Sequence, residues 1–463
     1  MKTGDQQLVR RINRSVLLRL LRVQPGLSRA QLAAQSGLTK STVSLLVREL
    51  IAEDWLTEAV VTPAAVVPSQ AGQGRPSTPL QINVESRGLI GVEIAVDCLR
   101  IAAVSLLGEV LWSAQVPLAS NLPSDVCAQA AQQIVQAHAG FAMRGMRMLG
   151  VGLGLPGAFD DATGVVRFAP NLGWRNVDFL PEIARALAKV GLPDVPVHVQ
   201  NEADTAALSE YEFADHETEE ALIFVTCDVG VGAGIVLNDR LFTGMQGMAG
   251  EIGHSILQID GPLCSCGRRG CAETFIGAKA LAREARQFGG LSGAGRGAVT
   301  GASGAPGAVV GKGGLGTAGL DKAAHYLGVV MQNLWTTFDP GTLVVGGPSC
   351  IRYPELVQMA QATLQAYAAS AGMVAPVVRP ARYGLLASAV GAAALVLHQV
   401  LRPMHPRVTR ASAVARQRAG IVPGGLGGVT AGMAGNVTGG SDAVPTGAPV
   451  GASSNASPQF VSA

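Results

Sequence analysis

Apolar positions follow two rhythms along this chain, and each marks a different part of the molecule. Over residues 6–60 the spacing is helical. Leu8, Ile12, Val16 and Leu20 fall at four-residue steps and predict one face of a first helix, broken at Pro25-Gly26. Ser28 followed by Gln31 has the form of a capping box, so a second helix starts there and stops at Gly37. Leu38-Thr39 opens a third helix. In it Val43, Leu46, Val47 and Leu50 share one face, Ser41, Ser44 and Arg48 share another, and Lys40 stands at the start. Two short helices joined at a glycine predict a helix-turn-helix whose last helix enters a major groove. Trp55-Leu56-Thr57 and Pro79-Leu80-Gln81-Ile82 are candidate wing strands, separated by a Pro/Gly/Ser-rich loop that carries Arg75.

From residue 83 the rhythm becomes short apolar runs. GLIGVEIAVDCLRIAAVSLLGEVLW predicts two or three strands in a meander that turns at Gly108-Glu109. Helical and strand patterns then alternate: a helix over Ser124–Arg144, a strand over Met148–Gly154, and a strand at Val197–Val199 leading into a helix near Asn201. ALIFVTCDVGVGAGIVL reads as strand, glycine-rich turn and strand. A helix over Asp321–Asp339, a strand at Thr342–Val345 and a helix over Leu385–Leu401 complete an α/β pattern. Residues 289–319 are almost entirely Gly, Ala, Ser and Val, the composition of a flexible insertion. From Arg402 the chain is Gly/Ala/Pro/Ser-rich, with five arginines and one acidic residue, and is expected to be disordered. The expected domains are therefore 1–82, 83–401 and 402–463.

Charge sharpens the first of these. The 463 residues carry a net charge of +2 and only 15% are charged, which excludes a global basic field. Residues 1–62 hold nine Lys/Arg against five Asp/Glu, a local excess of the kind phosphate contacts need. Lys40, Ser41, Ser44 and Arg48 are the expected readers of double-stranded DNA, and Arg75 is a minor-groove candidate. The bland alternative is a small helical bundle for protein contacts. Seven cysteines without regular spacing, and no apolar leader in MKTGDQQLVRRINRS, predict a cytoplasmic protein. The apolar run Gly384–Val400 contains Ser388 and His398 and reads as a buried core helix, so no membrane is expected.

The chemistry concentrates between Glu251 and Glu273. His254, Cys264, Cys266 and Cys271 form the one-imidazole, three-thiolate set of a closed, four-coordinate structural zinc site. Gly267 and Gly270 supply the tight turn that returns the sulfurs around one ion. Ordinary buried cysteines or a disulfide are the alternative. They fit poorly because Cys98, Cys127, Cys227 and Cys350 are scattered while these four residues cluster.

The same stretch resembles the ROK family (repressors, open reading frames and sugar kinases). That family's G-x-x-G-x-A-G-E-x-G-H is matched by Gly244, Gly247, Ala249, Gly250, Glu251, Gly253 and His254, and its C-x-C-G-x-x-G-C-x-E by Cys264 through Glu273. SRAQLAAQSGLTKSTVSLLVREL, together with Ile12–Arg14, resembles the winged helix-turn-helix of ROK repressors. The resemblance implies an actin/hexokinase-like (ribonuclease H-like) domain of two α/β lobes around a sugar cleft. It gives sugar-hydroxyl contacts to Glu251, His254 and Glu273, and further contacts to Asn171, Asn201 and Glu202. For Asn171 an ordinary turn asparagine is the equal alternative.

Three departures stand out against the kinases of that family. Glu93-Ile94-Ala95-Val96-Asp97 occupies the place of D-x-G-G-T, so the first phosphate loop lacks its glycines and threonine. Asp228-Val229 replaces the start of the second, which puts a carboxylate where phosphates would lie. Glu202 replaces the catalytic aspartate, one methylene longer. The expectation is a sugar-responsive DNA-binding regulator, a repressor, that binds a sugar or sugar phosphate without phosphorylating it and acts as a homodimer or homotetramer. The alternatives are a sugar kinase with an appended DNA-binding domain, and a regulator controlled by a protein partner.

Overall fold

The computed structural model describes residues 6–58, 78–214, 221–289 and 317–402. Arg75, the wing loop, nearly all of the 289–319 insertion and the stretch after Arg402 lie outside the described residues.

The chain begins with a small head. Helix α1 (Gln6–Val23) is followed by α2 (Arg29–Ser36) and α3 (Lys40–Ala52). Ser28 and Gln31 form the expected capping box on α2, and the helix ends at Gly37 in a left-handed conformation. Thr39 caps α3, whose Val43, Leu46, Val47 and Leu50 are buried. Strands β1 (Leu56–Glu58) and β2 (Leu80–Ile82) pair antiparallel, Leu56 opposite Ile82, as the base of the wing. The expected face of α1 needs correction. Leu8 is buried as expected, but Ile12 is exposed, Val16 and Leu20 are half-buried, and Leu17, Leu18 and Leu21 point inward. Helix α1 packs against a partner from the far end of the chain, which local spacing does not contain.

Two lobes follow, built to one plan. In the first, β3 (Arg87–Ile94), β4 (Cys98–Ser105) and β5 (Val110–Pro117) form the meander, turning at Gly108 with φ +87°. Then come α4 (Pro123–Met143), β6 (Arg147–Leu155), and a small antiparallel flap of β7 (Ala158–Asp160), β8 (Val165–Ala169) and β9 (Trp174–Val177). Helix α5 (Phe179–Lys189), β10 (Val197–Asn201) and α6 (Glu202–Glu212) complete the lobe. In the second lobe, β11 (Ala221–Cys227), β12 (Val231–Leu237) and β13 (Arg240–Leu241) are again an antiparallel meander. After them come α7 (Glu273–Ile276), α8 (Ala278–Gly289), α9 (Thr317–Phe338), β14 (Thr342–Gly346), α10 (Pro348–Arg352), α11 (Pro354–Ser370), β15 (Val377–Pro380) and α12 (Ala387–Leu401). Helices α8 and α9 thus extend into both ends of the expected insertion.

The sheets run β10-β6-β3-β4-β5 and β13-β12-β11-β14-β15. Each is three antiparallel strands extended by two parallel ones. This duplication is the two-lobed actin/hexokinase-like architecture. One side of the first sheet packs on α4 and α5, and one side of the second on α9 and α11. Helices α6 and α12 join the head and both sheets in a single apolar core that runs from Leu17 and Leu50 through Leu89 and Ala207 to Val344 and Leu397.

Close approach makes that core possible. A Cβ at Gly391 of α12 would fall 1.6 Å from the Thr205 carbonyl oxygen of α6, and one at Gly152 of β6 would fall 1.7 Å from that of Ala392. Gly384–Leu401 is the one described stretch long and apolar enough to cross a bilayer, but 72% of it is buried in this core. Its polar members are placed too: Ser388 Oγ is 3.0 Å from Thr205 Oγ1, and His398 Nδ1 is 2.6 Å from Glu212.

Candidate functional site: a metal-ligand loop in the interlobe cleft

The first set of candidate residues lies on the head. Lys40, Ser41 and Arg48 are exposed on α3, while Ser44 is half-buried and its hydroxyl donates to the Lys40 carbonyl. Three of the head's acids are paired internally: Arg10 holds Glu49, Arg14 holds Glu53 and Arg29 holds Glu58. This pairing neutralises acids without using Lys40 or Arg48.

The second set is a loop after β13. Glu251 leads into a single 3-10 turn at Ile252–His254, and the chain doubles back through bridges between Ile256 and Cys271 and between Leu263 and Arg269. Gly270 has φ +71°, and a Cβ there would fall 1.5 Å from the Gln258 carbonyl oxygen, so only glycine closes this turn. The folding brings one ligand atom each from His254, Cys264, Cys266 and Cys271 within 4.8 Å of one another, the single group of metal-ligand type among the described residues. Cys266 Sγ to Cys271 Sγ is 3.7 Å and His254 Nδ1 to Cys264 Sγ is 3.6 Å. A tetrahedron with metal–sulfur bonds of ~2.3 Å and metal–nitrogen bonds of ~2.0 Å has edges of about 3.5–3.8 Å. The donor set and these two distances therefore fit a tetrahedral metal.

The loop also carries acids into the cleft. His254 Nδ1 faces the sulfurs, while its Nε2 lies 3.9 Å from Glu251 Oε2. Ser265, between two of the cysteines, donates a 3.0 Å hydrogen bond to Glu273 Oε1. Asn171 reaches the same place from the flap of the first lobe. A Cβ built on Gly230 would stand 3.1 Å from Glu273 Oε2 and 3.5 Å from Asn171 Nδ2. Burial and the nearby charge of Glu273 push Glu251 up to about 7.

Deeper in the cleft the acids crowd together. Burial, then the charges of Glu93, Asp228 and Glu251, hold Glu202 well above the usual carboxylate range. Burial raises Glu93 to about 7 although Arg100 Nη1 donates to it at 3.0 Å. Among the described residues Glu93 Oε2 has no hydrogen-bond partner. Glu93, Glu202, Thr226, Asp228, Pro348 and Leu385 line a cavity of about 20 Å³. Asn201, by contrast, is tied into the scaffold. Its Oδ1 caps α6 by accepting from Ala203 N at 2.7 Å, and its Nδ2 donates to the Gly157 carbonyl at 2.9 Å. Asp204 stands in the first turn of α6 as expected, but buried, so burial raises it.

Comparison with known proteins decides what this arrangement is. The ROK family pattern matches residues 89–399, and a winged helix-turn-helix DNA-binding pattern matches residues 10–57. The chain belongs to the ROK family. It is 31% identical over 288 residues to the xylose repressor of Bacillus subtilis, covering 61% of this chain and 70% of that protein. It is also 31% identical over 268 residues to a glucokinase of Streptomyces coelicolor, covering 56% of this chain and 81% of that one.

Among solved structures, a ROK family transcriptional regulator, homolog of the E. coli MLC protein, superposes with a TM-score of 0.64. The identity is 23%, over 85% of this chain and 97% of that chain. A ROK glucokinase from Streptomyces griseus in complex with glucose and AMPPNP gives a TM-score of 0.55 at 26% identity, over 66% of this chain and 98% of that chain. The longer match to the regulator agrees with a chain that has both a DNA-binding head and two sugar-domain lobes.

Sequence reasoning missed three features of this ROK chain. Ser265 sits in the variable position between two cysteines, and its place in the motif was the available signal. Gly230 was read only as part of a glycine-rich turn. The ion pair of Glu93 with Arg100 spans adjacent strands, and period-two pairing across β3 and β4 would have suggested it.

Proposed function

We propose that this protein is a transcriptional repressor that grips operator DNA through its winged head and changes its grip when a neutral sugar enters the interlobe cleft. The observation that carries the reading is the contrast between the two ends of that cleft. At one end Asn171, Glu251, His254 and Glu273 converge beside the metal-ligand loop. Carboxylates there accept hydrogen bonds from vicinal hydroxyls, and the asparagine amide both donates and accepts. At the other end the space is about 20 Å³, room for one water, where sites for nucleotide-sized ligands run to ~300–1,000 Å³. Its walls are acidic at Glu93, Glu202 and Asp228, which disfavours a triphosphate. The same walls disfavour a sugar phosphate against an uncharged sugar.

Zinc is the metal that Cys264, Cys266, Cys271 and His254 would hold, and as a structural ion it supplies rigidity rather than reactivity. With Nδ1 on the metal, His254 keeps Nε2 for a sugar hydroxyl, so the ion fixes the orientation of a binding residue. Ser265 and Glu273 follow from the same loop. Lys40, Ser41, Ser44 and Arg48 would contact DNA from α3, and two heads in a homodimer would read two half-sites.

The test is an operator-binding titration on DNA flanking the protein's own gene. D-xylose, D-glucose and N-acetylglucosamine are compared with glucose 6-phosphate, and a coupled ATP assay runs in parallel. The reading expects a neutral sugar to change operator affinity and no sugar to be phosphorylated. Phosphorylated product would restore the kinase reading. Indifference to every sugar, with release of DNA by a protein partner, would favour partner control.

A further inference from the structure

The head and the cleft meet in a cluster of charges that neither site uses. Glu212 ends α6, and its side chain is 1% exposed. Its Oε2 accepts from Arg22 Nη1 of α1 at 3.1 Å. Its Oε1 accepts from His398 Nδ1 of α12 at 2.6 Å and from Arg402, the residue just after that helix. Arg402 Nη2 then donates to Asp239 Oδ1 at 3.2 Å, and Asp239 Oδ2 accepts from Arg19 Nη1, again on α1, at 2.8 Å. Tyr211 completes the ring by donating to Asp239. Four segments, α1, the end of α6, the turn between β12 and β13, and the end of α12, are thus pinned at one point. Arg402 was expected to begin the disordered tail; it is part of this cluster instead.

Desolvating charges is expensive, and apolar packing of the same volume is usually at least as stable, so such a cluster is a poor stability device. It does fix geometry. Here the geometry fixed is that of α1 against α6. The opposite end of α6, roughly 16 Å away along eleven residues, is Glu202 in the cleft, capped by Asn201. Helix α12 lies along α6, crossing it closely at Gly391 and Thr205, so the pair transmits a displacement as a unit. Arg22 Nε and Arg402 Nε have no hydrogen-bond partner among the described residues, so this arrangement leaves bonds for another to make.

We infer that Glu212 is the positioning residue through which the occupied cleft reorients the DNA-binding head: α6 carries the shift, and the Arg22–Glu212–Arg402 contacts pass it to α1. This inference rests on the reading of the protein as a sugar-responsive repressor. The sugar needs only to favour one of two arrangements of this junction.

The full-length protein, Glu212→Gln, Arg22→Met and Arg22→Lys are compared for operator affinity with and without D-xylose and D-glucose. Sugar affinity is measured calorimetrically on each protein without DNA. Wild type is expected to show an operator-affinity change of about 5-fold or more with one sugar, the usual range of such couplings. Glu212→Gln and Arg22→Met should keep sugar affinity and sugar-free operator affinity within about 3-fold, yet shrink the sugar effect below about 2-fold, with Arg22→Lys restoring part of it. A merely structural role would lower stability or both affinities without abolishing their linkage. If Glu212→Gln does not fold, Asp239→Asn, at a half-exposed member of the cluster, carries the same expectation. Variants that respond to sugar as wild type does would overturn the inference. A wild type that binds sugar without any change at the operator would overturn the repressor reading beneath it.

Discussion

Ser265 Oγ stands 3.0 Å from Glu273 Oε1, and its chain neighbours on either side are the candidate metal ligands Cys264 and Cys266. One residue therefore connects the metal loop to a carboxylate of the cleft. Removing the hydroxyl should leave the cysteines in place and let Glu273 swing. A single hydrogen bond of this kind contributes about 0.5–1.5 kcal/mol, so Ser265→Ala should weaken sugar binding by about 2- to 12-fold. Calorimetry reads the affinity and elemental analysis the metal. A loss of zinc together with affinity would show that Ser265 serves the loop and not the acid.

Gly230 marks the floor of the same cleft. A methyl group there would press on Glu273 Oε2 at 3.1 Å, which must give by a few tenths of an ångström, and would touch Asn171 Nδ2 at an ordinary 3.5 Å, on the side a sugar would occupy. One tight contact with the end of a movable side chain lies at the low end of overpacking, about 1 kcal/mol or less, so Gly230→Ala should weaken sugar binding by up to about 5-fold. Operator affinity without sugar should not change, and a reporter gene should need correspondingly more inducer. Unchanged induction would place the sugar elsewhere.

Metal removal should separate the two halves of the molecule. Cys266 is the least buried of the four candidate ligands, so Cys266→Ser disturbs the core least. The variant, or wild type treated with a strong chelator, should lose about one zinc ion per chain and with it the response to sugar. Helix α3 is anchored by Val43, Leu46 and Leu50 in the apolar core shared with α6 and α12, which includes no residue of the loop, so operator affinity should persist. Operator binding that collapses with the zinc would contradict this division.

Much of this was legible in the sequence because the determining interactions are local. The capping box at Ser28 and Gln31, the stop at Gly37 and the metal-ligand loop each lie within a short segment whose chemistry dictates its shape. The buried face of α1 was not legible: the stripe of Leu8, Ile12, Val16 and Leu20 is a sound helical period, but burial there depends on α12, some 370 residues away. The charge cluster was hidden for the same reason. Arg22, Glu212 and Arg402 are unremarkable singly, and only the fold makes them neighbours. The acidic residue types at Glu93 and Asp228 could be read from the sequence. That Pro348 and Leu385, from distant parts of the chain, line the same small cavity could not.

The pairing of Glu93 with Arg100 across β3 and β4 makes the acidic end of the cleft testable by pH. Burial lifts Glu93 from its ordinary 4.5 to about 7, against the pull of Arg100 and with the charges of Asp228 and Asp97 adding to it. A carboxyl whose folded value is raised takes up its proton more readily in the native state. Its contribution to stability is complete below about pH 4.5 and is lost as pH rises through 7, a total of roughly 3 kcal/mol. Between pH 5.5 and 8 this one group should remove about 2 kcal/mol. Glutamine imitates the protonated form, so Glu93→Gln should match wild type near pH 4.5 and exceed it increasingly toward pH 8. Buried Glu202 and Asp228, raised in the same direction, stay in both proteins, so the difference between the two urea-unfolding curves reports Glu93 together with the part of the Glu202 shift that its charge causes. A difference that is flat with pH, or that favours wild type at pH 8, would mean that Glu93 is ionised and firmly paired at neutrality. The acidic end of the cleft would then carry one more full negative charge than burial alone allows.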